Sequence, residues 1–161
     1  MKPRGMLMLL TLLLVATTMP AQYLHQPGDK APDFQGVTVD GQSYHLYESQ
    51  AEGIVVCFWS ADCESCHDFL KQLRRHADLI RGYELVTFAL ADSERQVRRQ
   101  FRCRKLRGWH FYDVNGWDSE PFLDYDVNVT PTVVLIDREK NIVGEAFDWD
   151  EFKELIQNHE K

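Results

Sequence analysis

Cys63-Glu64-Ser65-Cys66 constrains this chain more than any other feature. The pair follows an unbroken apolar run at 54–59. It opens a stretch in which Cys66, Phe69, Leu70, Leu73, Ala77 and Ile80 recur at helical spacing. The pattern predicts a strand buried on both faces, a short loop, and a C-x-x-C at a helix N-terminus. Thiolate is the reactive form of cysteine. A thiol pKa near ~8.5 is lowered where the unpaired N–H groups of a first helical turn face the sulfur. Cys63 is therefore expected to be the exposed attacker. Cys66, one turn further in, can close a disulfide and release a bound partner. Dithiol–disulfide exchange is the chemistry this pattern favours.

Three other readings use the same residues. A purely structural disulfide would close a very short loop, which removes little unfolded-state entropy. Half of a zinc site is a second alternative, although Cys57 and Cys103 form no second C-x-x-C pair. The third is covalent haem, because His67 completes the string C-x-x-C-H. All four methionines lie in the first 19 residues, so a cleaved chain offers no Met ligand. A histidine pair through His76, His110 or His159 keeps this electron-transfer alternative open.

The first 21 residues read as an export signal. Lys2 and Arg4 precede an apolar stretch at 6–16, too short to span a bilayer, and small and polar residues follow up to Ala21. The expected product is one domain over 22–161, exported to the bacterial periplasm and soluble after cleavage. Removing Lys2 and Arg4 from 18 basic residues leaves 16 against 25 acidic, a formal −9, which argues against nucleic-acid binding. A local basic stretch from Arg95 to Arg107 reads as a solvated helix face with its exit loop. Cys57 is expected to be a buried hydrophobe. Cys103 sits among arginines that favour its thiolate.

Further elements follow from spacing. A hairpin is expected over 34–46 around Asp40-Gly41, and a helix from the cysteine pair to Arg81, stopped by Gly82. A strand at 84–90 should pair in parallel with 54–59. Ser93 and Gln96 suggest a capping box, as do Asp148 and Glu151. Strands at 109–113, 132–137 and 142–147 and a short helix at 119–125 complete the pattern. The last helix carries Trp149, Phe152, Leu155, Ile156 and His159 on one face.

In order and spacing the chain resembles thioredoxin-fold proteins, specifically the TlpA-like periplasmic thiol–disulfide oxidoreductases. The likeness lies in an opening segment at 28–34, the strand and loop at 56–66, Val129-Thr130-Pro131-Thr132, and a closing hairpin at 135–143. It implies a three-layer α/β fold with a mixed central sheet, flanking helices and an N-terminal β-hairpin. It implies Cys63 as nucleophile, Cys66 as resolving thiol, and Thr130 with a cis Pro131, together with Trp59, as the substrate-binding surface. It also implies protein disulfides as substrates and no metal or organic cofactor beyond the redox-active Cys63–Cys66 disulfide. A reducing protein in an oxidising periplasm would need a membrane electron donor to stay reduced.

Departures from the family pattern bear on proton handling. Asp62 stands where relatives usually carry tryptophan, Phe69 where they often carry glutamate, and Cys57 where a buried carboxylate or asparagine is common. His67, Asp68 and Cys57 are the candidates left for that role. The opening segment also resembles peroxiredoxins, but Val56 and Ser60 occupy the places of their proline and threonine. A non-catalytic binding module on the same scaffold is the remaining alternative. Asp62, Glu64 and Asp68 place negative charge around Cys63. The couple is therefore expected to be reducing, nearer about −270 mV than about −120 mV.

Overall fold

The computed structural model describes residues 25–104 and 106–159, apart from the side chains of Cys103 and Arg104. The export segment and the Cys103 thiol, with the expectations attached to them, lie outside the described residues.

The chain builds around β3 (Gly53–Ser60), of whose eight residues only Ser60 is not buried. Such burial on both faces is what an unbroken apolar run demands. The strand alternates by twos. Val55, Cys57 and Trp59 enter one core, and Ile54, Val56 and Phe58 enter the other. Each fully buried large side chain of this kind contributes about 1.5–3 kcal/mol. A slip of one residue would exchange the two sets, so the register is strongly specified.

Two helical crossovers follow. β3 leads through α1 (Glu64–Arg75) into β4 (Tyr83–Leu90), and β4 through α2 (Glu94–Arg104) into β5 (Trp109–Tyr112). The three strands pair in parallel, with Val56 beside Val86 and Phe88 beside Phe111. β6 (Thr132–Asp137) and β7 (Ile142–Ala146) return antiparallel on the other side of β3, giving the order β5-β4-β3-β6-β7. α4 (Trp149–His159) joins α1 and α2 on the Cys57 face, burying Phe152 and Ile156 completely. The opposite face is covered by α3 (Glu120–Asp124) through Phe122, and by a separate two-stranded sheet of β1 (Gln35–Val37) and β2 (Ser43–His45) through Tyr44.

This is the expected mixed sheet between helical layers, with an N-terminal hairpin. The hairpin and the first helix differ most from expectation; other ends shift by a residue. The hairpin strands are only three residues each, because Thr38 N–H bonds Gln42 O, and Gln42 N–H the Thr38 hydroxyl, closing a wider loop. The first helix ends at Arg75 rather than Arg81. His76 leaves helical angles at φ −114° and ψ 37°, its ring stacks on Trp149, and a 3-10 turn at Ala77–Ile80 carries the chain to Gly82. Both expected N-caps form, but the return bond of each box is shifted by one residue. Glu151 N–H donates to Asp148 at 2.9 Å and Gln96 N–H to Ser93 Oγ at 3.4 Å, and the Glu151 and Gln96 side chains reach back to the residue before each cap.

The topology has one consequence for function. The C-terminal ends of β3, β4, β5 and β7 and the start of β6 share one edge of the sheet. Sites in α/β sheets collect at such an edge because the connecting loops converge there.

Candidate active site

β3 delivers the chain to that edge at Ser60, and the next turn is held to the sheet by Ala61 N–H donating to Leu90 O at 2.8 Å. Cys63 then caps α1 with extended backbone angles, φ −96° and ψ 113°. Its sulfur takes the place of a capping oxygen. The Cys66 N–H donates to Cys63 Sγ at 3.0 Å, and Ser65 Oγ lies 3.2 Å from the same atom, close enough for its hydroxyl to donate. An N-cap atom of this kind satisfies a donor that the helix would otherwise leave open. Negative charge on Cys63 would therefore meet two donors and the positive end of the α1 dipole.

Cys63 and Cys66 are joined as a disulfide with their Cα atoms 5.2 Å apart. The two sulfurs differ in access. Cys66 is completely buried, whereas Cys63 is only partly so. Of the two, Cys63 is the more accessible to an incoming group.

The start of β6 faces this disulfide. Thr130 O lies 3.5 Å from Cys63 Sγ, and the Thr130–Pro131 peptide bond is cis. Thr132 hydroxyl donates to Val129 O at 2.8 Å, and Val127 N–H donates to Phe122 O at 2.8 Å, tying the loop to itself and to α3. Thr130 is half-buried and Pro131 buried, so Thr130 is the more accessible residue of this pair.

The other expected site residues divide. Trp59 is fully buried, with its indole edge-on to Phe101 at 5.5 Å, so it presents no surface to a docking protein and is withdrawn as a substrate contact. Its place in the strand alternation, two residues beyond Cys57, put it in the core. Cys57 is buried as expected and unbridged. Burial pushes its thiol up to about 12, so it keeps its proton at neutral pH. His67 is half-buried in the first turn of α1, with its ring 6.5 Å from Trp59, and Asp68 is exposed beside it.

Ser65 escaped the sequence reading. The signal was present, since a hydroxyl residue two places after a capping cysteine lies within reach of the cap sulfur. The side chains Phe147, Asp148, Trp149 and Asp150 were also missed as neighbours of the site. Phe147 read as the end of a strand and the other three as the start of a helix, yet β7 ends at the same edge as β3.

A five-stranded mixed sheet with a disulfide at the N-terminus of its first crossover helix, opposite a cis-proline, defines a thioredoxin-fold protein with a dithiol–disulfide centre. Residues 27–144 match the AhpC/TSA family, and the chain belongs to that family. Among characterised relatives it is similar to the thioredoxin-like protein YneN of Bacillus subtilis, 28% identical over 123 residues that make up 73% of this chain and 69% of that protein. It is also similar to the thiol-disulfide oxidoreductase ResA of the same organism, 27% identical over 119 residues, or 72% of this chain and 64% of ResA. The chain therefore spans just under two thirds of ResA's length. Its fold matches the crystallised thioredoxin domain of a thiol-disulfide oxidoreductase from Bacteroides vulgatus. There the TM-score is 0.72 at 18% identity, over 83% of this chain and 97% of that domain.

Proposed function

We propose that the protein is a thiol–disulfide oxidoreductase that reduces or reshuffles disulfides of other exported proteins. The observation that carries this reading is the asymmetry of the pair: a reachable Cys63 sulfur with two hydrogen-bond donors, and a buried Cys66 within disulfide distance. In the reduced protein, Cys63 thiolate attacks one sulfur of a substrate disulfide, and the other substrate sulfur leaves as thiolate. Cys66, once deprotonated, attacks Cys63 Sγ in the mixed disulfide and expels the second substrate thiolate. The substrate gains two electrons and the protein is left as the Cys63–Cys66 disulfide. A membrane dithiol donor would restore it.

The relatives named as thiol-disulfide oxidoreductases support the chemistry. The charged and apolar pattern of residues 1–21 supports export to a periplasm. No described helix is long and apolar enough to cross a membrane. The burial of Cys66 suits thiol exchange better than covalent haem, which would need both sulfurs accessible to one macrocycle. The roles of Cys63 and Cys66, the Thr130 backbone contact, and independence from metal or organic cofactor belong to this proposal. The reading is tested by insulin-disulfide reduction with excess dithiothreitol. The protein should accelerate precipitation of the insulin B chain well above the dithiothreitol background, and a rate equal to background would refute it.

A further inference from the structure

The sheet edge that carries Cys63 has a distinctive surface. Among the described residues the exposed large apolar side chains include Val114, Trp117, Leu123 and Val129 in the β5–β6 connection and Phe147 just after β7. Beside Cys63 a groove of about 370 Å³ runs from Ser65 past Pro131 to Phe147 and Trp149. Phe69 and Pro131 form its buried, apolar part. Asp68, Asp148 and Asp150 line it as exposed carboxylates, and no lysine or arginine does. Asp62 and Glu64 flank Cys63 in sequence and are exposed as well. Among the described residues none of these five carboxylates has an ion pair, although Asp148 accepts from the Glu151 N–H as the cap of α4.

Unpaired carboxylates cost little in water. They become expensive when a docking protein displaces that water without bringing counter-charge. An apolar groove edged by them therefore selects against acidic segments and for basic ones, through both encounter rate and desolvation. We propose that this groove takes an extended cationic segment next to the reactive disulfide of a substrate protein. An apolar side chain of that segment lies over Pro131 and Phe147, and its lysines or arginines meet Asp68 and Asp150. This assignment rests on the redox reading above and names the substrate class for the same site.

The test uses two peptides of equal length. Each holds one cysteine as a mixed disulfide with 2-nitro-5-thiobenzoate, flanked in one by lysines and in the other by glutamates. Cys63 thiolate of the reduced protein attacks the peptide sulfur, and the released thionitrobenzoate is read by absorbance. The lysine peptide should react about tenfold faster at low salt, with the ratio falling toward one at 1 M salt, where the Debye length is about 3 Å. In the Asp68→Lys/Asp150→Lys double variant the ratio should drop below one. Comparing two peptides on one protein cancels any change in the thiol itself. Equal rates in the wild type, or a ratio untouched by the double substitution, overturn the cationic assignment. Reduction of neutral 2-hydroxyethyl disulfide by the same wild-type sample then shows that the redox reading stands. Reaction with none of the three disulfides overturns both.

Discussion

Thr130 O and Cys63 Sγ lie 3.5 Å apart although 67 positions separate them in the chain. β6 runs antiparallel to β3, so its first residues arrive where the last residues of β3 leave. The contact puts a backbone acceptor beside the reachable sulfur. A substrate strand lying along Thr130 would bring its own disulfide to Cys63.

Ser65 should tune that sulfur. Its hydroxyl is 3.2 Å from Cys63 Sγ and can donate to the thiolate but gives a neutral thiol little. A hydrogen bond to a charged group is worth about 1.5–3 kcal/mol, and Ser65 is exposed, so the low end applies. Ser65→Ala should raise the pKa of Cys63 by roughly one unit. The pH profile of iodoacetamide alkylation of the reduced protein reads this directly, and an unchanged profile would remove Ser65 from the site.

The couple should be reducing. Asp62 and Glu64 adjoin Cys63, Asp68 follows within the same helix, and no lysine or arginine occurs between 58 and 68. A thiolate with fewer compensating cations stabilises the reduced form less. Equilibration in glutathione buffers should place the potential near about −270 mV. A value above about −170 mV would identify a disulfide donor instead.

His110 should make the fold acid-sensitive. It is buried in β5, stacks on Phe101 at 3.4 Å, and pairs with Thr87 Oγ1 at 3.0 Å and Leu106 O at 3.3 Å. A carbonyl can only accept, so Nε2 carries the proton and Nδ1 accepts from the Thr87 hydroxyl. Burial lowers the imidazole pKa from 6.5 to about 4. The unfolded chain takes up its proton first as pH falls. The contribution is thus full above pH 6.5 and is lost as pH falls toward 4, up to about 3 kcal/mol. Urea unfolding at pH 7 and pH 4 measures it. His110→Gln should reduce the loss between the two pH values by about that amount, and an identical loss would exclude His110 as the cause.

Cys57 should be silent until the chain unfolds. It is completely buried, with a thiol pushed up to about 12. Iodoacetamide should leave it unmodified in the native protein and label it in denaturant. Fast native labelling would contradict the packing of β3.

The architecture was legible where periodicity was strong. The doubly buried strand, the C-x-x-C at a helix start, the N-caps at Ser93 and Asp148 and the amphipathic α4 followed from the sequence pattern alone. The break at His76 did not, because Ala77 and Ile80 continue the helical pattern of α1. Stacking on Trp149, 73 residues away, is a tertiary contact that local spacing does not encode. The groove was hidden for a similar reason. Asp148 and Asp150 signal a helix start, and only strand topology brings them to Cys63. Trp59 is the reverse case. A resemblance put it at the surface, while its own alternation with Cys57 put it in the core.

The division of labour between the two cysteines is tested most directly by trapping. Cys66→Ser, reduced and then mixed with oxidised insulin, should accumulate a mixed disulfide through Cys63, seen as a mass increment of one whole insulin molecule that thiols remove. Cys63→Ser should form none and should not reduce insulin. Adducts in neither variant, or insulin reduction retained by Cys63→Ser, would contradict the assignment of attack to Cys63.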